Sequence, residues 1–226
     1  MRTGGKGNKQ GRATVDQLER LLVGMCNTTE SLFADAVVAF LDGSSEMTKE
    51  LRAEDYRAHE RRLEIDQLAL DLLTTAAPDP QQTAFIGAAM KIAGGLKRTA
   101  DESLRIGERL RSCQLENLAR ADSLPQMIEL TQTMLSDAVE ALLSRGSAEE
   151  GPPAGEGPAL HLVLRELATL AENGQRQLGE SIQKGHLPPH AGVALVGVVE
   201  GLCRIGDEVL GISNQIAHVY CSNAAG

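Results

Sequence analysis

Two short stretches of this chain set a basic residue, an aspartate and a glutamate at the same helical spacing. Leu96 to Ile106 reads LKRTADESLRI and Leu202 to Ile212 reads LCRIGDEVLGI, so Arg98, Asp101 and Glu102 recur as Arg204, Asp207 and Glu208. Carboxylates can ligate a divalent or iron-type metal ion when several converge. Adjacent residues on a helix point about 100° apart, so neither Asp-Glu pair is a chelate without donors from other helices. The competing reading is a charged helix face on which Arg98 pairs with Glu102, and Arg204 with Glu208, at i,i+4. Cys203 stands one turn before Asp207, which raises a soft-metal or redox site against the reading of a buried, inert thiol. His218 with Cys221 supplies two zinc-type ligands where four are needed, and His186 and His190 bracket a proline turn. No G-x-S-x-G, P-loop, H-E-x-x-H or Glu-x-x-His constellation is present, so catalysis is not indicated.

These residues depend on helices to position them, and apolar periodicity places six. Leu18, Leu21, Leu22, Met25, Leu32, Ala36 and Val37 predict a first helix from Val15 to Asp42, with Thr14 and Gln17 at capping-box spacing. A second runs from the Gly43 to Ser45 stop to about Ala76, and a third follows the Pro78 and Pro80 break. The pattern restarts with Ser123 and Gln126 as a second capping box, a fourth helix to about Ser144, a fifth ending at Gly185 and a sixth after Pro189. The 106-residue offset between the two repeated stretches, identical at six of eleven positions, implies two copies of one unit. The expected fold is all-α: two similar antiparallel three-helix bundles, six helices in all, related by a pseudo-twofold axis with Asp101 and Asp207 in corresponding places. The expected layout is a disordered basic tail over 1–13, bundles over 14–115 and 122–222, and a Gly/Pro/Glu-rich loop over 145–158. Glycines at 197 and 201 lie along one face of the sixth helix, where either the other bundle or a homodimer partner can approach.

Composition narrows the function. The chain has 226 residues, a net charge of −9, two Tyr, three Phe and no Trp. Arg2, Lys6, Lys9 and Arg12 make the first thirteen residues basic, leaving the body more acidic still. An acidic body with few aromatics repels phosphate backbones and offers bases little to stack on, which argues against nucleic acid. The apolar runs at Ala84 to Leu96 and Ala191 to Leu202 fall short of the roughly 18 residues a span requires. Without an apolar leader in MRTGGKGNKQGRA, and with four widely spaced cysteines, a cytoplasmic protein with reduced thiols is expected.

The repeated element resembles the signature of the PhoU family, phosphate-transport accessory and regulatory proteins, in which a run like A-A-L-K-I-A-x-x-L-E-R-I-G-D lies on the third and sixth helices. Here the copies read AAMKIAGGLKRTADES and VVEGLCRIGDEV. LLVGMCNTTESLFADAVVAFLDGSSEMTKELRAED is similar to the family's first helix and turn, and IDQLALDLLTTAAPDPQQTAFIGAAM to the second and third helices. The likeness is good over about 14–112, fair over 123–145 and 187–220, and poor across 146–186. It implies two three-helix bundles and a regulator of phosphate uptake and phosphate-responsive signalling. Such a regulator acts by binding a phosphate ABC transporter ATPase and a sensor histidine kinase, in a homodimer that reaches the membrane only through its partners.

Several family members bind metal through an E/D-x-x-x-D motif in each signature, which carries over to Asp101 and Asp207. The acidic partners of that motif are replaced by Lys97 and Cys203, and a lysine one turn from Asp101 opposes a cation and favours a Lys97 to Asp101 ion pair. Glu102 and Glu208 stand where the family often has His or a small residue. Asp55, eleven residues before Asp66, matches an acidic position of the family's second helix, while His59 replaces another. The candidate metal ligands are thus Asp55, Asp101, Glu102, Asp207 and Glu208. A metal-dependent or metal-storage bundle, and a divergent scaffold with changed partners, are the alternatives.

Overall fold

The computed structural model describes the backbone of residues 7–42, 45–75, 77–111, 113, 117, 121–143 and 156–221, with side chains over 15–38, 49–74, 77–111, 113, 117, 121–143 and 160–219. Among the described residues six long helices run in order: α1 Gly7–Asp42, α2 Ser45–Thr75, α3 Pro80–Arg111, α4 Leu124–Leu143, α5 Glu156–Gln183 and α6 Pro189–Cys221. The first three form one bundle and the last three another. The bundles join mainly through α3 against α6, with a lesser contact of α1 on α4, leaving α2 and α5 outermost.

Local chemistry explains several boundaries. Asp79 caps α3: its Oδ1 accepts from the Gln82 N–H at 2.8 Å, and Gln82 Oε1 accepts from the Asp79 N–H at 3.2 Å, with Pro80 at the first helical position. α5 ends in a Schellman turn, in which Gly185 at φ 70° lets the His186 N–H reach the Ser181 carbonyl at 2.9 Å. The expected capping box at Ser123 does not form. Gln126 instead donates to Glu166 of α5 at 3.0 Å, and the Ser123 hydroxyl sits buried over Gly174 without a partner. Thr14 does not stand at the start of α1, because that helix begins at Gly7. Residues 7–13, expected as unstructured tail, extend it instead, since Lys9, Gln10, Arg12 and Ala13 are good helix formers next to a long formed helix. Residues 1–6, Gly43 and Ser44, and 145–155 of the expected loop lie outside the described residues, and 156–158 begin α5.

The core is aliphatic. Leu18, Leu22, Met25 and Phe33 of α1 meet Ile65 and Leu72 of α2 and Ile86, Ile92 and Leu96 of α3, continuing into Met134, Leu167, Leu195, Val198 and Ile205. The stretch Val15–Val38 has the length and apolar composition of a membrane span, with a mean hydropathy of 1.2. Its Leu18, Leu22, Met25, Leu32 and Phe33 are fully buried, as in a core helix.

Candidate functional site

The joint between the bundles is built from the repeat itself. Arg98 of α3 grips Glu208 of α6 through Nε and Nη2 at 2.6 and 2.7 Å, and Arg204 of α6 donates from Nη2 to Glu102 of α3 at 2.8 Å. Shifted by the 106-residue offset, each pair becomes the other. The apolar contacts obey the same rule. A Cβ on Gly95 would fall 2.8 Å from Ile212 Cγ1, and one on Gly201 would fall 2.9 Å from Ile106 Cγ1, so each isoleucine fills the space its counterpart's helix leaves open. Reciprocal contacts of this kind define an approximate dyad. The i,i+4 pairs Arg98 to Glu102 and Arg204 to Glu208 therefore give way to pairs between helices. An exposed pair on one helix gains only a few tenths of a kcal/mol, whereas the crossed arrangement satisfies carboxylates that close packing partly dries.

The symmetry is broken at Glu102. It is only 4% exposed and also accepts from Arg105 at 3.1 Å and Arg109 at 3.2 Å, while Arg109 donates to the Gly197 carbonyl at 2.9 Å. Burial pushes the Glu102 carboxyl up, but hydrogen bonds and charge from Arg204 and Arg105 overcome this and hold it below the usual carboxylate range. Gly197 and Gly201 are thus filled from within the chain, by Arg109 and by Ile106 with Glu102, and do not form a seam for a second copy.

The first bundle's other acidic candidates surround Lys97. Its ammonium donates to Asp55 Oδ1 at 2.8 Å and to Asp101 across one turn of α3, joining α2 to α3. Burial works against the lysine's charge, yet the hydrogen bonds it donates to Asp101 and Asp55 raise its pKa above the ordinary lysine value. Asp66 pairs instead with Arg62 at 3.0 Å. In the second bundle Cys203 occupies the place of Lys97. Burial, then the Asp207 charge, pushes its thiol up, and burial carries Cys26 to about 12, so neither is a ready thiolate. Asp101 and Asp207 hold equivalent positions in unlike surroundings, one on an ammonium and one beside a thiol.

The donors do not fit a metal centre. Asp55 and Asp101 share a lysine, Glu102 and Glu208 are held by arginines, and among the described residues no group of three or more His, Cys, Asp and Glu side chains is placed to hold an ion. What the arrangement does instead is clamp helices together. Arg105, Arg109 and Gly95 do not stand out in the sequence as members of this joint, whereas Gly201 lies on the glycine face expected to meet the other bundle or a second copy. The signal available was the repeat: Gly95 and Gly201 directly precede its two copies, and Ile106 and Ile212 close them.

The PhoU domain family matches residues 22–110, the helices that carry the Lys97 cluster and one side of the joint. The phosphate-specific transport system accessory protein PhoU homolog of Zymomonas mobilis subsp. mobilis is 23% identical over 202 residues, 88% of this chain and 81% of that one. Among solved structures, PhoU from Pseudomonas aeruginosa superposes with a TM-score of 0.83 at 18% identity, covering 93% of this chain and 99% of that one. The phosphate transport system regulatory protein PhoU from Streptococcus pneumoniae gives 0.76 at 17%, covering 92% and 96%. These likenesses confirm the fold of two three-helix bundles.

Proposed function

Because this chain is a divergent member of the PhoU family, we propose that it is a cytoplasmic regulator that restrains phosphate uptake and phosphate-responsive signalling by docking on a phosphate ABC transporter ATPase and a sensor histidine kinase. Family members are transport accessory and regulatory proteins rather than enzymes, so its action is binding without turnover. The observation that carries this reading is the family match over 22–110, which falls on α1 to α3. The two-bundle fold supports it. Docking is favoured on basic surfaces, since the net charge of −9 steers the body toward positive patches. Homodimer formation belongs to the same reading, through a face other than Gly197 and Gly201, which are filled intramolecularly.

The test is deletion of the gene and measurement of phosphate-responsive transcription, with pull-down of the ATPase and the kinase by the tagged full chain. Derepression in phosphate-rich medium and capture of either partner is the expected result. Unaltered expression with no affinity for either would overturn the proposal.

Lys97 and Cys203 favour one second reading, a scaffold with changed partners, which predicts unaltered phosphate control but capture of other proteins. A metal-dependent enzyme or storage bundle loses its motivation, because Lys97 already neutralises Asp55 and Asp101.

A further inference from the structure

α2 turns Leu51, Ala58, Ile65, Ala69 and Leu72 into its own bundle, yet carries a second apolar line on its outer side. Tyr56, Leu63 and Leu70 repeat every seven residues and are 61%, 54% and 50% exposed, and Leu73 extends the line at 39%. Seven residues are nearly two helical turns, so these side chains form one stripe about 25 Å long. The fold does not require it. On α5, the other outermost helix, the exposed face carries a single large apolar side chain, Leu162, followed by Arg165, Glu166, Thr169, Glu172, Asn173 and Arg176. Large apolar side chains recurring at every seventh residue of one outer helix, and not of the other, mark a contact surface.

Charge identifies the occupant. Glu60, Glu64 and Asp71 line one edge of the stripe, and among the described residues Glu60 and Glu64 make no salt bridge. The arginines of α2 are engaged already: Arg52 with Glu108 at 2.7 Å, Arg57 with Glu54 at 3.7 Å, Arg62 with Asp66 at 3.0 Å, and Arg61 with the Gly24 carbonyl and Thr28. Lys49, exposed seven residues before Tyr56, is the one lysine of the helix and stands at the end of the line. A second copy of this chain would therefore bring one lysine against the three carboxylates of the acidic edge, and three carboxylates of its own. We propose that the outer face of α2 docks an amphipathic helix of a partner protein, its apolar residues spaced i, i+3/i+4, i+7 and flanked by Lys or Arg. This rests on the regulatory reading above and names where such a partner would seat.

The full chain is titrated against two fluorescent peptides of about 18 residues, each with leucines at heptad spacing, one flanked by lysines and the other by glutamates. The lysine peptide is expected to bind at least about tenfold tighter, less so in high salt, and Leu63→Glu and Leu70→Glu should each weaken it by about tenfold while melting as the parent does. Equal binding of the two peptides, or affinity unchanged in both variants, overturns the proposal. So does light scattering that finds a dimer dissociated by Leu63→Glu, which would assign the stripe to a second copy. Phosphate-responsive transcription in a Leu63→Glu strain separates the two readings. Lost peptide binding with normal regulation counts against the phosphate role and leaves the surface standing.

Discussion

Lys97 occupies the space between two helices' carboxylates that a bound cation would otherwise neutralise, and it is tethered to the backbone. Lys97→Ala leaves Asp55 facing Asp101 with no counter-charge, and should cost about 1 to 3 kcal/mol, read as a lowered Tm. Lys97→Glu adds a third carboxylate and should make stability cation-dependent. Manganese would raise its Tm and EDTA lower it, while the parent ignores both; a parent that melts lower in EDTA would refute the idea of an internal cation. Glu54 behaves in the opposite sense. Burial, then the Asp35 charge, raises its carboxyl above the usual range, and its Oε2 is buried without a hydrogen-bond partner. The folded state therefore holds the proton more tightly than the unfolded one. Its ionised form is a burden at neutral pH that lifts as pH falls through the folded value. Glu54→Gln should raise Tm at pH 7 and change it little at pH 4; an equal gain at both would point to packing instead of charge.

At the scale of the element, glycines sort by what lies across from them. Alanine is better than glycine in a helix by about 1 kcal/mol, so Gly87→Ala and Gly211→Ala, where a Cβ meets nothing within 4 Å, should stabilise by up to that amount. Gly95→Ala and Gly201→Ala drive a methyl against Ile212 or Ile106 and should cost about 1 to 3 kcal/mol despite the same propensity gain. Denaturant unfolding of the four variants reads the contrast directly, and like signs for all four would dismiss the close packing. The legibility of the sequence divides along a related line. Period and prolines located all six helices, because core positions such as Leu18, Leu22 and Met25 recur at the helical repeat whatever they touch. Capping was harder to read: Asp79 with Gln82 was hidden behind the prolines, and Ser123 with Gln126 had the right spacing but found Glu166 a better partner. The site was legible in its residues and not in their pairing. Arg98 and Glu102 look like an i,i+4 pair in one dimension, and only the crossing of α3 over α6 turns them toward Glu208 and Arg204.

Across the whole molecule, the duplicated motif works as a self-complementary clasp, and its two halves differ in strength. The Arg98 to Glu208 pair is the more open to solvent, its arginine exposed and its carboxylate half-buried, and should contribute less than about 1 kcal/mol. Glu102 is buried under Arg105, Arg109 and Arg204, so Glu102→Gln should cost clearly more than Glu208→Gln, with the loss concentrated in the docking of one bundle on the other. The pH dependence follows from the sign of the shift. A carboxyl held below its ordinary value of 4.5 stabilises the fold fully above that value and loses the contribution as pH falls through the lower, folded one. Acid should therefore loosen the joint before it melts helices whose cores are aliphatic. Small-angle scattering would then find an expanded molecule at a pH where far-ultraviolet circular dichroism still reports full helix content. In Glu102→Gln the same expansion should already be present at neutral pH and no longer depend on acid. If the helix signal and the compact shape are instead lost together in both proteins, the bundles unfold as one unit and the clasp is not the weak link.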